Sequence, residues 1–263
     1  MEKPPDRPDG ALLSAERLVK RFGGISAVDG MSLEISHGEI VGLIGPNGAG
    51  KTTMFDLLAG ARTADSGSIR LDGEEIQSLT AYRRVARGLG RTFQIPRPFA
   101  SMSVTENVMV GAQGQSGEHI WPNWFSVSRV AREEAANHDK ASALVDFVGL
   151  SHLATAPARV LSGGQRKLLE LARALMADPK ILLLDEPAAG VNPTLLSTIV
   201  DRILDLNARG MTVLVIEHNM DMIARLCHRV TVMASGKILA EGTPDEVARD
   251  ARVADAYLGG QVA

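Results

Sequence analysis

The stretch "EIVGLIGPNGAGKTTMFDLLAG", Glu39 to Gly60, decides the fold class. Its opening, "EIVGLIG", is a short, continuous apolar run ending in glycine, as expected of a strand buried on both faces of a sheet. Its close has helical spacing at Thr53, Leu57 and Leu58 and stops at Gly60. Between them, Gly45, Pro46, Asn47, Gly48, Ala49, Gly50, Lys51, Thr52 and Thr53 fit the pattern G-x-x-x-x-G-K-[ST]. Glycines there let backbone N–H groups wrap a phosphate, and the following helix adds partial positive charge at its N-terminus. Lys51 is placed to reach the β- and γ-phosphates of ATP, and the Thr52 hydroxyl to hold Mg²⁺.

Further along, "KILLLDE" and "MTVLVIE" read as buried strands, and "GGQRKLLELARALMADP" and "TLLSTIVDRILDLNARG" as amphipathic helices. The first of these helices carries Leu168, Leu171, Ala172, Leu175 and Met176 on its apolar side. "LVKRFGGISAVDGMSLEIS" alternates in two runs around Gly23-Gly24, and "SGSIRLDGEEI" turns at Asp72-Gly73, so both read as antiparallel hairpins. "RVTVMASGKILAEG" is a third hairpin around Ser235-Gly236. In "TPDEVARD", Thr243 is the N-cap, Pro244 the first helical residue, and Glu246 completes a capping box. Together these predict an α/β fold: a mostly parallel sheet covered on both faces, with an antiparallel β subdomain.

The texture changes between about Arg83 and Pro157. "GRTFQIPRPFASMSVTENVMVG", Gly90 to Gly111, shows neither a helix period nor strand alternation and reads as irregular. "QGQSGEHIWPNWFS" reads as a loop, and "VAREEAANHDKASALVDFVGL" as a helix with Ala143, Phe147 and Leu150 on one side. The expectation is a helical subdomain over about 91–157, inserted into a core of about 12–90 and 158–263. Residues 1–11 are Pro-rich and charged, which predicts a disordered lead with no export signal.

Composition excludes several classes. The 263 residues hold 28 Lys and Arg against 31 Asp and Glu, a net charge of -3. That balance lacks the basic excess of a nucleic-acid footprint. Cys227 stands alone, so no intramolecular disulfide can form and a reducing, cytosolic compartment is expected. It follows the helical "MDMIARL" and reads as a buried, inert thiol. No apolar run approaches the roughly 18 residues needed to cross a bilayer. No Cys/His cluster has metal-ligand spacing, so the metal expected is Mg²⁺ carried by ATP.

Two more motifs carry chemistry. In "ILLLDE", Asp185 ends an apolar strand, where a carboxylate can join the Mg²⁺ shell, and Glu186 can polarise an attacking water. "LSGGQ", Leu161 to Gln165, is a second glycine-rich helix start and a second anion site. One nucleotide does not need two such loops from one chain, so this one is expected to complete the site of a second copy.

With the phosphate loop, "LSGGQ", "ILLLDE" and His218 after "TVLVIE" in this order, the chain resembles the nucleotide-binding subunits of ABC transporters over nearly all of its length after about residue 12. The wording of "GLGRTFQIPRPFASMSVTENVMVGA", "DEPAAGVNP", "IEHNM" and "VADAYLGG" is similar to the branched-chain amino acid importer branch. The resemblance implies an ATPase at the cytoplasmic face of the membrane. It implies a head-to-tail dimer, with a related ATPase or with itself, holding two ATP molecules. It implies that Ser162, Gly163, Gly164 and Gln165 act in trans, that His218 meets the γ-phosphate, and that Phe22 stacks on adenine. Gln94 would then be the glutamine that meets Mg²⁺ or the attacking water. Pro96 to Val104 would receive a cytoplasmic helix of two polytopic permease subunits, with Phe99 and Met102 in contact. A solute-binding protein would act indirectly, and no nucleic acid is expected. Asn192 stands where other branches carry an aspartate that helps couple the two sites. Competing readings are an ATPase of another transport branch (urea or amide, lipid or lipopolysaccharide) and a nucleic-acid-associated ABC ATPase. The short insertion and absent zinc cysteines speak against the last.

Overall fold

A computed structural model describes residues 10–92, 96–115 and 127–259. In chain order its strands are β1 (Ala11–Phe22), β2 (Ile25–Ser36), β3 (Ile40–Ile44), β4 (Ser66–Leu71) and β5 (Glu74–Glu75). They continue with β6 (Leu89–Arg91), β7 (Ile181–Asp185), β8 (Thr212–Ile216), β9 (Arg229–Ala234) and β10 (Lys237–Gly242). The helices are α1 (Lys51–Ala59), α2 (Ala81–Val85), α3 (Val104–Met109), α4 (Val127–Phe147) and α5 (Gly163–Leu175). After them come α6 (Pro193–Ala208), α7 (Met220–Leu226), α8 (Pro244–Arg249) and α9 (Ala251–Gly259). The chain divides into two units.

The first unit is Met1–Arg91, Lys180–Ala188 and Ile203–Ala263. Among the described residues it holds a six-stranded sheet in the order β10-β9-β3-β8-β7-β6 and a four-stranded sheet in the order β2-β1-β4-β5. From β9 to β6 the larger sheet is parallel, and β10 closes it antiparallel to β9. The smaller sheet is antiparallel throughout. This is the α/β arrangement expected from the sequence. Every residue of β3, β7 and β8 is buried. Each such Val, Leu or Ile contributes about 1.5–3 kcal/mol by leaving water. The continuous apolar runs exist because no face of these strands meets solvent.

The turns follow their residues. Asp72 (φ 53) with Gly73 (φ 76), and Ser235 (φ 49) with Gly236 (φ 79), supply the paired positive angles of a two-residue hairpin turn. Thr243 and Glu246 form the capping box, with Pro244 at the helix start. Arg84, 1% exposed, braces the far end of α1. Its Nη1 donates to the carbonyls of Leu57 (2.6 Å) and Leu58 (2.7 Å), its Nε to Leu79 O (3.1 Å) and its Nη2 to Gln77 O (3.1 Å). The bonds to Leu57 and Leu58 serve carbonyls at the end of α1, where a helix leaves them open. Burial lowers the guanidinium pKa to about 10.

The second unit is Thr92–Pro179 and Ala189–Arg202, with α3, α4 and α5. It corrects two expectations. The segment Gly90 to Gly111 is not irregular throughout. It starts on the last residues of β6 and ends in α3, which Ser103 and Glu106 open with a full capping box. On α4 the buried positions are Ala141 and Val145, followed by Val148 just past its end, while Ala143 is exposed and Phe147 half-buried. Leu150 is buried but lies beyond the helix, after Gly149 turns the chain at φ 76, so it does not continue the helix period. Most of the expected loop over 113–126 and of the lead over 1–11 lies outside the described residues.

Candidate nucleotide site

The phosphate loop runs from the end of β3 into α1. Gly45 (φ 148) passes so close to β9 that a Cβ would lie 2.1 Å from the Met233 carbonyl oxygen. Gly50 (φ 100) would place one 2.0 Å from the Ala27 carbonyl oxygen. Neither position accepts a side chain without moving backbone. Gly236 N–H donates to Ala49 O (3.0 Å), so the β9–β10 turn holds the loop from outside. Lys51 Nζ donates to Gly45 O (2.7 Å) and Pro46 O (3.0 Å), which lays the ammonium across the loop. Burial lowers the lysine pKa, and the Glu186 carboxylate works against that shift. Asn47, Gly48 and Thr52 are exposed, Pro46 and Thr53 half-buried, and Ala49 buried.

Asp185 is the last residue of β7 and is 4% exposed. Burial raises its pKa; the nearby Arg91 guanidinium pulls the other way. Glu186 follows with φ 46, a left-handed conformation that costs a non-glycine residue about 1–3 kcal/mol. Its N–H donates to Ile216 O (3.0 Å) at the end of β8. Its Oε1 lies 4.0 Å from His218 Nδ1, and the histidine side chain is 63% exposed. Glu217, the residue before His218, is fully buried. One carboxylate oxygen accepts from Ala188 N–H (2.7 Å), the other from His218 N–H (2.9 Å) and Asn219 N–H (3.1 Å). Glu217 therefore fixes the backbone on both sides of the Glu186–His218 pair. It is not among the residues that the sequence motifs single out. A carboxylate directly before the histidine, at the end of an apolar strand, was the available signal.

Among the described residues no group of three or more His, Cys, Asp or Glu could hold a metal ion. Mg²⁺ is ordinarily held by one or two protein oxygens, with phosphate oxygens and water completing the shell. One hydroxyl, Thr52, and one buried carboxylate, Asp185, suit that chemistry. Gln94 lies outside the described residues. Phe22 is 42% exposed, with Arg62 Cζ 5.2 Å and Lys20 Nζ 5.8 Å from its ring centroid.

The signature run lies in the second unit. Ser162 caps α5: its Oγ accepts from Gln165 N–H (3.3 Å), and Gln165 Oε1 accepts from Ser162 N–H (2.9 Å). Ser162 and Gly163 are exposed and Gln165 half-buried. A Cβ on the buried Gly164 would lie 2.1 Å from Leu195 Cδ2. Asn192 Oδ1 accepts from Leu195 N–H (2.9 Å) at the start of α6. In the segment Pro96 to Val104, Phe99 is 48% exposed and Met102 half-buried. Asn107, fully buried, clamps this segment: it accepts from Phe99 N–H (2.8 Å) and donates to Phe99 O (3.1 Å), Met102 O (3.3 Å) and Ser103 O (2.9 Å). Cys227 is buried, its pKa pushed up to about 12, in keeping with an inert thiol.

A family model described as ABC transporter matches residues 28–189. The chain belongs to that family. A second model, for the branched-chain amino acid ATP-binding cassette transporter, matches residues 237–263 of this ABC ATPase. It is 38% identical over 251 residues to a probable branched-chain amino acid transport ATP-binding protein LivG from Archaeoglobus fulgidus, covering 95% of this chain and 96% of that one. It is 39% identical to the lipopolysaccharide export system ATP-binding protein LptB from Haemophilus influenzae, over 95% of this chain and 98% of that one. The crystal structure of the ADP conformation of MJ1267, an ATP-binding cassette of an ABC transporter, superposes with a TM-score of 0.82 at 37% identity, covering 95% of this chain and 99% of that one. This chain is therefore an ABC ATPase, and its C-terminal residues match the branched-chain amino acid model.

Proposed function

We propose that the chain works as one half of a head-to-tail ATPase dimer that drives two membrane-spanning permeases, importing branched-chain or other hydrophobic amino acids. The reading is carried by the meeting of a phosphate loop, an Asp-Glu pair and a histidine at the ends of β3, β7 and β8. The loop N–H groups and Lys51 take the phosphates, and Phe22 takes the adenine face. Thr52 and Asp185, joined by Gln94, would hold Mg²⁺, which offsets charge on the phosphate oxygens. Glu186 accepts a proton from water as the water oxygen bonds to the γ-phosphorus and the bond to ADP breaks. His218, 4.0 Å from Glu186, stands where it can hold that geometry.

The run Ser162, Gly163, Gly164 and Gln165 of a second copy, or its counterpart on a related ATPase, completes each site. Ser162 Oγ uses a lone pair for its cap, which leaves its O–H to donate to a phosphate oxygen. The exposed Phe99, on a segment clamped by Asn107, is the proposed contact for the permease helix. Among the described residues no helix is long and apolar enough to cross a membrane. Attachment at the cytoplasmic face is accordingly assigned to the permeases.

The similarity to the lipopolysaccharide export protein favours a second reading, an exporter ATPase. Purification of the tagged chain from detergent-solubilised membranes tests both. The importer reading expects two polytopic permeases with a related ATPase, and a solute-binding protein that acts with them. Recovery with lipopolysaccharide-handling proteins would replace it with the exporter reading; recovery with ribosomes or DNA-bound proteins would remove transport altogether.

A further inference from the structure

Arg91, the last residue of β6, sits between two carboxylates. Its Nη2 lies 2.8 Å from Asp56 Oδ1 and 3.5 Å from Asp185 Oδ2, and its Cζ lies 5.4 Å from the Phe55 ring centroid. The side chains of Arg91, Asp56 and Asp185 are 14%, 17% and 5% exposed, so solvent screens them little. Arg62 Nε holds the other oxygen of Asp56 at 3.1 Å. Arg91 thus bridges Asp56, on α1 behind the phosphate loop, and Asp185, and its approach to Asp56 is the closer.

We propose that Arg91 is a positioning residue that neutralises Asp185 until Mg²⁺ arrives and competes with the ion for that carboxylate. The proposal rests on the reading of Asp185 as a magnesium ligand. Three points carry it. A buried carboxylate needs a compensating charge whenever the ion is away, and Arg91 is within reach to give it. Two cations drawing on one carboxylate repel each other, so each weakens the other's hold. The closer bond to Asp56 gives the guanidinium a place to stay once it cedes Asp185, so the exchange strands no buried charge. Arg91 is also the last residue of the first unit before the chain enters the second, which begins at Thr92.

The competition has a sign that a merely structural role lacks. The test is a Mg²⁺ titration at fixed ADP, followed by binding of a fluorescent ADP analogue to the purified chain, with thermal melts taken in EDTA without nucleotide. Arg91→Met is expected to move the Mg²⁺ midpoint to lower concentration by about threefold, the size of a weak ion pair. Its affinity for ADP in EDTA is expected to fall, because the uncovered Asp185 carboxylate repels the phosphates, and its melting temperature in EDTA falls. Should Arg91→Met not fold, Arg91→Gln gives the same readout. A midpoint that is unchanged or shifted to higher Mg²⁺ overturns the proposal. Asp185→Asn separates the two levels, because it is expected to lose most of the Mg²⁺ response. If it keeps that response, the ligand reading falls and the proposal with it; if it loses it while Arg91→Met is unaltered, the proposal alone falls.

Discussion

The phosphate loop and the signature run are both glycine-rich starts of helices, yet they are built differently. At the phosphate loop the glycines answer to distant backbone: Gly45 to Met233 and Gly50 to Ala27. The β9–β10 turn holds the loop through Ala49, and Lys51 lies across it. At the signature run the helix is closed by its own residues, Ser162 and Gln165, three positions apart. There the packing constraint falls on Gly164, against Leu195, and Ser162 and Gly163 stay exposed. The first region is a cradle assembled by tertiary structure. The second is a finished helix end that presents N–H groups and a hydroxyl outward. The difference supports the proposal that one of the two anion-binding starts belongs to the chain's own nucleotide and the other to that of a second subunit.

The comparison can be broken first at the chemistry of the cradle. Glu186→Gln keeps the shape of the side chain and removes the base. Hydrolysis is expected to fall by about 10²- to 10⁴-fold, the usual worth of a positioned base, while ATP binding persists. Near-normal turnover, read from phosphate release, would take Glu186 out of that role. A smaller effect is expected at Lys51→Ala, which removes the charge-assisted hydrogen bonds to the phosphates. Loss of about 1.5–3 kcal/mol, or roughly 10- to 100-fold in nucleotide affinity, is expected by calorimetry. Unchanged affinity would mean that the backbone cradle binds without its lysine.

The parts that were legible in the sequence rest on local signals. The buried strands, the stop at Gly60, the turns at Asp72-Gly73 and Ser235-Gly236 and the capping box at Thr243 each need only neighbouring residues to define them. The capping box at Ser103 and Glu106 has the same spacing, but it lies just after the prolines at 96 and 98, in a stretch that reads as irregular. The buried stripe of α4 differs from the expected one because a half-exposed, charge-rich helix offers few apolar positions to set a phase. The phosphate-loop residues and the Asp185-Glu186 pair were readable from spacing, and the structure puts the loop at the end of β3 and Asp185 at the end of the parallel strand β7.

Polar residues whose work depends on partners far along the chain were not readable. Arg84 closes α1 from 27 positions away, and Glu217 holds Ala188 from 29 positions away. Arg91 gains its meaning only when folding brings Asp56 and Asp185 to it. Asn107 reads as one polar residue on a short helix until its four bonds to the 99–103 segment are in view.

The central proposal is that one chain binds nucleotide by itself, while hydrolysis needs the signature run of a second subunit. Measuring ADP affinity and ATP hydrolysis per chain across a wide dilution series tests it most directly, with the related ATPase supplied where self-pairing is weak. Affinity for ADP is expected to hold steady on dilution while hydrolysis per chain falls as the subunits separate. Hydrolysis per chain that stays constant at every dilution, with the chain monomeric by light scattering, would contradict the account.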